Sequence, residues 1–336
     1  MIFKHKSRYT HLILTLPVIL AVLFLSACGG SNGQNGQAGK ENYTVGILNL
    51  SEALELSVEG FKAGMEELGY TEGENITYIY DGPVVDIGNL DTAGQKLVDA
   101  NVDMVFSLST PATLAAKRVT EGTDIPVVFG IVTDPIAPGI VENLTQPGGN
   151  VTGIKTGGSE PKELEWLKNA VPELQRVLIL HNPNDASAVT ALSDVRTTAD
   201  SLGIEIVTVE TPDPEAVLTA LQDMPENIDG ILLLPDSIVN RKVDDIIASG
   251  LEFKLPVAGI NSPHVESGAL LAFGAERYPA GVQAAHLAHQ VLAGTPPSEL
   301  PVETADFYLS VNLQTASAIG VTLEDTTMKS AETIIR

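Results

Sequence analysis

The chain has 336 residues, 43 acidic against 19 basic side chains, a formal net charge of -24 and a single cysteine, with 44% hydrophobic and 5% aromatic residues. A body this acidic repels phosphate backbones and anionic headgroups, which argues against nucleic acid binding and surface adsorption. One cysteine cannot close a disulfide within the chain, so stability must come from apolar cores, of which a chain this long can bury one or two. The acidic excess itself fits a solubility requirement or a salty habitat equally well.

At the N-terminus Lys4, Lys6 and Arg8 precede an apolar run at residues 11–25, too short and too early for an ordinary membrane span. The run leads into Leu25-Ser26-Ala27-Cys28, which holds the sole cysteine. This pattern resembles the lipobox of bacterial lipoproteins. The resemblance implies that residues 1–27 are a signal peptide and that Cys28 is lipidated and becomes the new N-terminus. The protein would then be lipid-anchored at the extracytoplasmic face of the cell membrane. A chance cysteine behind a plain signal is the alternative. Losing the signal removes three bases and no acid, taking the net charge from -24 to -27. Residues 29–40 carry no apolar side chain larger than alanine, so 28–42 reads as a flexible tether.

Beyond the tether, β-branched runs at 44–48, 76–80, 104–108, 127–132 and 151–155 alternate with amphipathic stretches, the signature of parallel βαβ units. Val58, Phe61, Met65 and Leu68 recur at helical spacing and Gly69 ends that helix; further helices are predicted at 90–100 and 112–120. A second series follows, with a helix at 161–170 and strands at 177–180, 204–209, 231–234, 257–260 and 270–273. Its clearest helix puts Val189, Leu192, Val195, Ala199 and Leu202 on one face and stops at Gly203. Each series is a nearly all-parallel sheet needing helices on both faces. The expected fold is therefore α/β, with two Rossmann-like doubly wound parallel-sheet lobes. A helical stretch at 279–293 and a last strand and helix at 308–319 fit either lobe by periodicity.

Ligands bind beyond the carboxyl ends of strands in open parallel sheets, so the residues there are the binding candidates. In the first series they are Asn49, the pair Ser109 and Thr110, and Thr133 with Asp134; in the second, Asn182, Asp185, Asp236, Ser237 and Asn261. Ser109 and Thr110 at a helix N-terminus could seat a carboxylate, and Asp134, Asp185 or Asp236 could meet an ammonium. Each group could equally well only cap its helix.

Catalysis has less support. There is no Gly-x-Ser-x-Gly elbow and no phosphate loop, and Gly148-Gly149-Asn150-Val151-Thr152-Gly153 misses the dinucleotide pattern at its middle glycine. His286 and His289 stand at i and i+3 with no acid or cysteine one turn away to complete a metal site. Ser109 or Ser237 would need His181 or His264 brought across a cleft to act as a nucleophile. No catalytic residue, no metal and no cofactor is expected.

The segments Ile125-Pro126-Val127-Val128-Phe129, Val132-Thr133-Asp134-Pro135, Gln146-Pro147-Gly148-Gly149-Asn150-Val151-Thr152-Gly153 and Gly268-Ala269-Leu270-Leu271-Ala272-Phe273-Gly274 resemble the substrate-binding lipoproteins of ABC importers, in the family that includes tryptophan and tyrosine binders. The likeness runs from Tyr43 to about Leu323. It implies a type I periplasmic-binding-protein fold with a hinge: lobe 1 from 43–153 and 277–303, lobe 2 from 154–276 and 304–336. It implies ligand contacts at Thr110, Thr133-Asp134, Asn182 and Asp236-Ser237. Asn261 departs from the aspartate often found there, which weakens the case for an aromatic amino acid. The implied function is capture of a small, amino-acid-like molecule by a monomer that delivers it to an ABC permease and its ATPase. The competing readings are a ligand-sensing subunit of a membrane receptor and a secreted α/β hydrolase.

Overall fold

The computed structural model describes residues 42–336; the expected signal peptide, Cys28 and all of the tether but its last residue lie outside the described residues. The first half of the body alternates strand and helix: β1 (Tyr43–Asn49), α1 (Glu55–Glu67), β2 (Ile76–Ile79), α2 (Leu90–Asp99), β3 (Met104–Leu108), α3 (Thr110–Val119), β4 (Val127–Val132) and β5 (Val151–Lys155). The second series is α4 (Glu160–Ala170), β6 (Arg176–His181), α5 (Ala186–Leu202), β7 (Glu205–Glu210), α6 (Pro214–Gln222), β8 (Gly230–Leu232), α7 (Val243–Phe253), β9 (Val257–Gly259), α8 (Ser262–Glu266) and β10 (Leu271–Ala275). The chain ends with α9 (Arg277–Leu292), β11 (Glu303–Thr304), β12 (Phe307–Asn312), α10 (Leu313–Ile319), α11 (Asp325–Ser330) and β13 (Ala331–Ile335).

Among the described residues a six-stranded sheet runs β11-β5-β4-β3-β1-β2 and a seven-stranded sheet runs β13-β12-β10-β9-β8-β6-β7. All pairings are parallel except β10 with β12. In both sheets the order reverses beside the first strand, β1 or β6, which is where a doubly wound sheet opens its binding crevice. We call the bodies around the two sheets lobe 1 and lobe 2.

Each sheet has a core on both faces, because side chains alternate along a strand. In lobe 1, Ile47, Phe106 and Val128 face the core shared with α1 and α9, while Leu48, Val105 and Phe129 face the core shared with α2 and α3. Phe61 of α1 stacks on Phe106 with ring centroids 4.0 Å apart. Lobe 2 repeats the scheme, with Ile179, Leu232 and Val311 on one face and Leu178, Ile231 and Val257 on the other. Strands covered on both faces are mostly apolar, which is why they read as nearly continuous hydrophobic runs.

After β10 the chain leaves lobe 2, and α9 lies along α1 in lobe 1. Small residues allow the approach: a Cβ on Gly60 would stand 2.1 Å from the Tyr278 carbonyl oxygen, and one on Gly281 2.2 Å from that of Ser57. β11 then joins the edge of β5 before β12 returns to the second sheet. The chain thus passes between the lobes three times, near residues 156–159, 276 and 305–306.

One helix face departs from the expected pattern. Val189 was expected beside Leu192 and Val195, yet it is 46% exposed, because it sits in the first turn of α5, before the helix reaches the core.

Candidate ligand-binding cleft

The carboxyl ends of β1 and β4 face those of β8 and β9. Between them lies a cavity of about 150 Å³, lined by Leu54, Ile131 and Thr133 from lobe 1 and by Pro235, Ile260 and Asn261 from lobe 2. Thr156, Ser159, Glu160, Ala275 and Arg277, at or beside the crossings, complete it. A second cavity of about 210 Å³ continues from it through the shared residues Thr133, Glu160 and Pro235, adding Asp134 and Lys155 on one side and Ser187, Thr190 and Asp194 on the other. Of the residues expected to bind ligand, Thr133, Asp134 and Asn261 line this cleft.

The other seven do not line these two cavities. Asn49 is fully buried and donates its side-chain amide to Glu55 Oε1 at 2.8 Å and to the Tyr80 hydroxyl at 3.0 Å; Tyr80 in turn donates to Glu55 Oε1. Burial, then the Glu55 bond, raises the Tyr80 phenol, so it remains a donor. Ser109 is the N-cap of α3 at φ 86, its hydroxyl accepting the Ala112 N–H at 3.5 Å, and Thr110 opens the helix; neither lines the two cavities.

In lobe 2 the loops after β6 and β8 are tied to each other. Asp236, 1% exposed, accepts the N–H groups of Asn182 (2.6 Å), Ile238 (2.9 Å) and Val239 (2.9 Å). Asp185 accepts the Ser187 N–H at 3.1 Å with one oxygen, and the Ser237 N–H (3.1 Å) and hydroxyl (3.0 Å) with the other. Asn182 Oδ1 accepts the Asn184 N–H at 3.0 Å. These groups hold the rim that carries Pro235 into the cleft.

Two backbone positions beside the cleft are strained. Ser109 (φ 86) and Ile131 (φ 52) sit at the ends of the adjacent strands β3 and β4 with positive φ, which costs a β-branched residue such as isoleucine most. Such strain persists where the surroundings over-determine it, and ligand sites are where it collects.

The charged residues at the floor were not among the sequence candidates. Glu160 is 5% exposed and accepts the Gly158 N–H at 3.0 Å; burial raises its carboxyl above the usual range. One helical turn on, Glu163 is wholly buried, with Oε2 unpartnered and Oε1 taking the Phe273 N–H at 3.4 Å. Burial and then the charge of Glu160 push Glu163 well above the usual carboxylate range. His264 on α8 accepts the Ile260 N–H at 3.3 Å, and burial followed by the Arg277 charge lowers it to about 4. A lone acid or base in a helix's first turn carries no pattern, so only placement exposes Glu160 and Arg277. The helical histidines make no metal pair: His289 meets the Tyr70 hydroxyl at 2.9 Å and His286 faces solvent. Among the described residues no cluster of three or more His, Cys, Asp or Glu is placed to hold a metal, and no helix is long and apolar enough to cross a membrane.

Comparison with known proteins agrees with this architecture. Residues 45–335 match the family model described as ABC transporter substrate binding protein. A tyrosine-binding protein of Clostridioides difficile is 27% identical over 303 residues, covering 88% of this chain and 87% of its own length. A substrate-binding protein with adhesive properties from Clostridium difficile, solved in a ligand-free, open state, superposes with a TM-score of 0.76 at 26% identity, over 88% of this chain and 99% of that one. An ABC domain from Streptococcus pneumonia in complex with L-Trp shares the fold at a TM-score of 0.76 and 24% identity, over 88% and 100%. Two doubly wound lobes with a cleft between them form the type I periplasmic-binding-protein arrangement. The chain belongs to the ABC transporter substrate-binding protein family, whose members bind solutes and are not enzymes.

Proposed function

We propose that this protein captures an amino acid, with aromatic ones the first candidates, in the cleft between its lobes and delivers it to an ABC permease. The observation that carries the reading is the lining of one cavity from both sides, Thr133 and Ile131 facing Pro235 and Asn261. A ligand touching both sides is fully satisfied only when the lobes close, so it shifts the population toward the closed state by its differential affinity. The relative named for tyrosine binding supplies the first ligand to try. Calorimetry of the purified protein with L-tyrosine, L-tryptophan and L-phenylalanine, beside sugars and nucleosides, tests this. Saturable binding of an amino acid is expected; binding of a sugar or nucleoside alone overturns the ligand class.

The reading includes attachment through a lipid on Cys28, supported by the Leu25-Ser26-Ala27-Cys28 sequence. Cells expressing the protein with radiolabelled palmitate should yield a labelled band that Cys28→Ala abolishes. Delivery is checked by uptake: deleting the gene should slow import of the bound amino acid, and unchanged import would refute the transport role.

A further inference from the structure

We propose that the cleft reads its ligand as a zwitterion, Arg277 taking the carboxylate and Glu160 the ammonium. This rests on the amino-acid reading above and assigns the two groups that would enforce it.

Arg277 is the first residue of α9, where the chain crosses from lobe 2 into lobe 1, and it lines the cavity. Its guanidinium carries five N–H donors and stays charged at any physiological pH. Half-buried as it is, it makes no hydrogen bond or ion pair among the described residues. That is unusual in a chain with 43 acids and 19 bases, where an acceptor would be easy to provide. The neighbouring acid is engaged: Glu276 takes the Ser262 hydroxyl at 2.6 Å. A partly desolvated cation without an acceptor costs stability, and a carboxylate entering the cavity supplies what is missing.

Glu160 is the complement. It lines both cavities, is nearly withdrawn from water, and receives only backbone N–H groups at hydrogen-bond distance. Lys155, the nearby base, gives its ammonium to the Gly157 carbonyl at 2.9 Å. Glu160 and Arg277 form no ion pair with each other. Among the described residues, then, one cavity presents a positive and a negative group, neither of them in an ion pair; Lys155 lies near enough to favour the charged form of Glu160 but spends its ammonium on the Gly157 carbonyl. Thr133 and the Asn261 side-chain amide add neutral polar groups, the Asn261 oxygen already accepting the His264 N–H at 3.4 Å.

The test compares L-tyrosine with two analogues by calorimetry: tyramine, which lacks the carboxylate, and 3-(4-hydroxyphenyl)propionate, which lacks the ammonium. The parent should prefer L-tyrosine to each by roughly 10- to 100-fold, the loss expected for one charged hydrogen-bonding partner. In Arg277→Gln the preference over tyramine should collapse while that over the propionate persists, and Glu160→Gln should show the mirror image. Arg277→Lys, which keeps the charge but not the planar fork, should fall between. If one variant fails to melt cooperatively, the other carries the test. Folded variants that keep the parent's full discrimination overturn the assignment while the amino-acid reading stands. A parent that binds a sugar or a nucleoside and no amino acid overturns both.

Discussion

The Asp236 carboxylate accepts the Asn182 backbone N–H at 2.6 Å, joining the loop after β8 to the loop after β6 at the rim of the cleft. With Ile238 and Val239 also donating to it, this buried carboxylate serves three main-chain groups. Asp236→Ala would strand those donors, each worth about 1 to 3 kcal/mol when buried and unpaired. We predict a loss of about 3 kcal/mol in urea unfolding with an unchanged m-value. A loss below about 1 kcal/mol would show that the loops are held by other means.

The crossing of α1 and α9 makes a second prediction. Gly60→Ala and Gly281→Ala each push a methyl into a carbonyl oxygen of the facing helix, which cannot rotate away as a side chain can. Each should cost about 2 kcal/mol or more by overpacking. Thermal unfolding reads this directly, and melting temperatures equal to the parent's would contradict the close packing.

Two desolvated groups, the buried Glu163 and the half-buried His264, should tilt the pH dependence in opposite directions. Glu163 is held above its ordinary value, so the folded state favours its proton; the associated stability is full below pH 4.5 and is lost as pH rises through the folded value. His264 is lowered from 6.5 to about 4, so its contribution is full above pH 6.5 and is lost as pH falls toward 4. Within either window the slope is about 1.4 kcal/mol per pH unit. Glu163→Gln should therefore gain most over the parent at neutral and higher pH. His264→Asn should flatten the decline between pH 6.5 and 4. Parallel stability-pH curves for parent and variants would rule out both assignments.

Ser109 tests the strained turn. Its φ of 86 belongs to glycine's territory, while its hydroxyl makes a long cap bond of 3.5 Å. Relief of strain is worth about 1 to 3 kcal/mol, and replacing a cap serine by glycine costs only a few tenths. Stability should thus rank Ser109→Gly above the parent and the parent above Ser109→Ala. Chemical denaturation giving glycine as the least stable of the three would refute the strain.

The doubly wound lobes were legible because buried parallel strands leave nearly continuous hydrophobic runs. Strands 104–108, 127–132 and 151–155 have the bounds that the sequence pattern predicts, and Gly203 adopts the left-handed C-cap. β11 was not legible, being two residues long and recognisable only by its pairing with β5. Nor was β13, a half-exposed edge strand. For the cleft, strand ends pointed to Thr133, Asp134 and Asn261, since chain topology places them there. They did not reveal that Asn49 is consumed by Glu55 and Tyr80, because those partners come from a different helix and strand. Glu160 and Arg277 acquire meaning only from what surrounds them.

The return of α9 to lobe 1 also governs when the protein can finish folding as it is made. The core against α1 includes Ala280, Ala284, Leu287, Val291 and Leu300, and that of lobe 2 includes Leu309, Val311 and Ala316. A chain halted before residue 280 has made both sheets' central strands yet leaves each body with an apolar face uncovered. Domains that occupy separate stretches can fold one after the other during synthesis. Here the ribosome must deliver the chain past Ala316 before either body can be fully covered, so the two lobes complete close together, and a product cut short before residue 280 would be a target for chaperones and proteases instead of a smaller working protein.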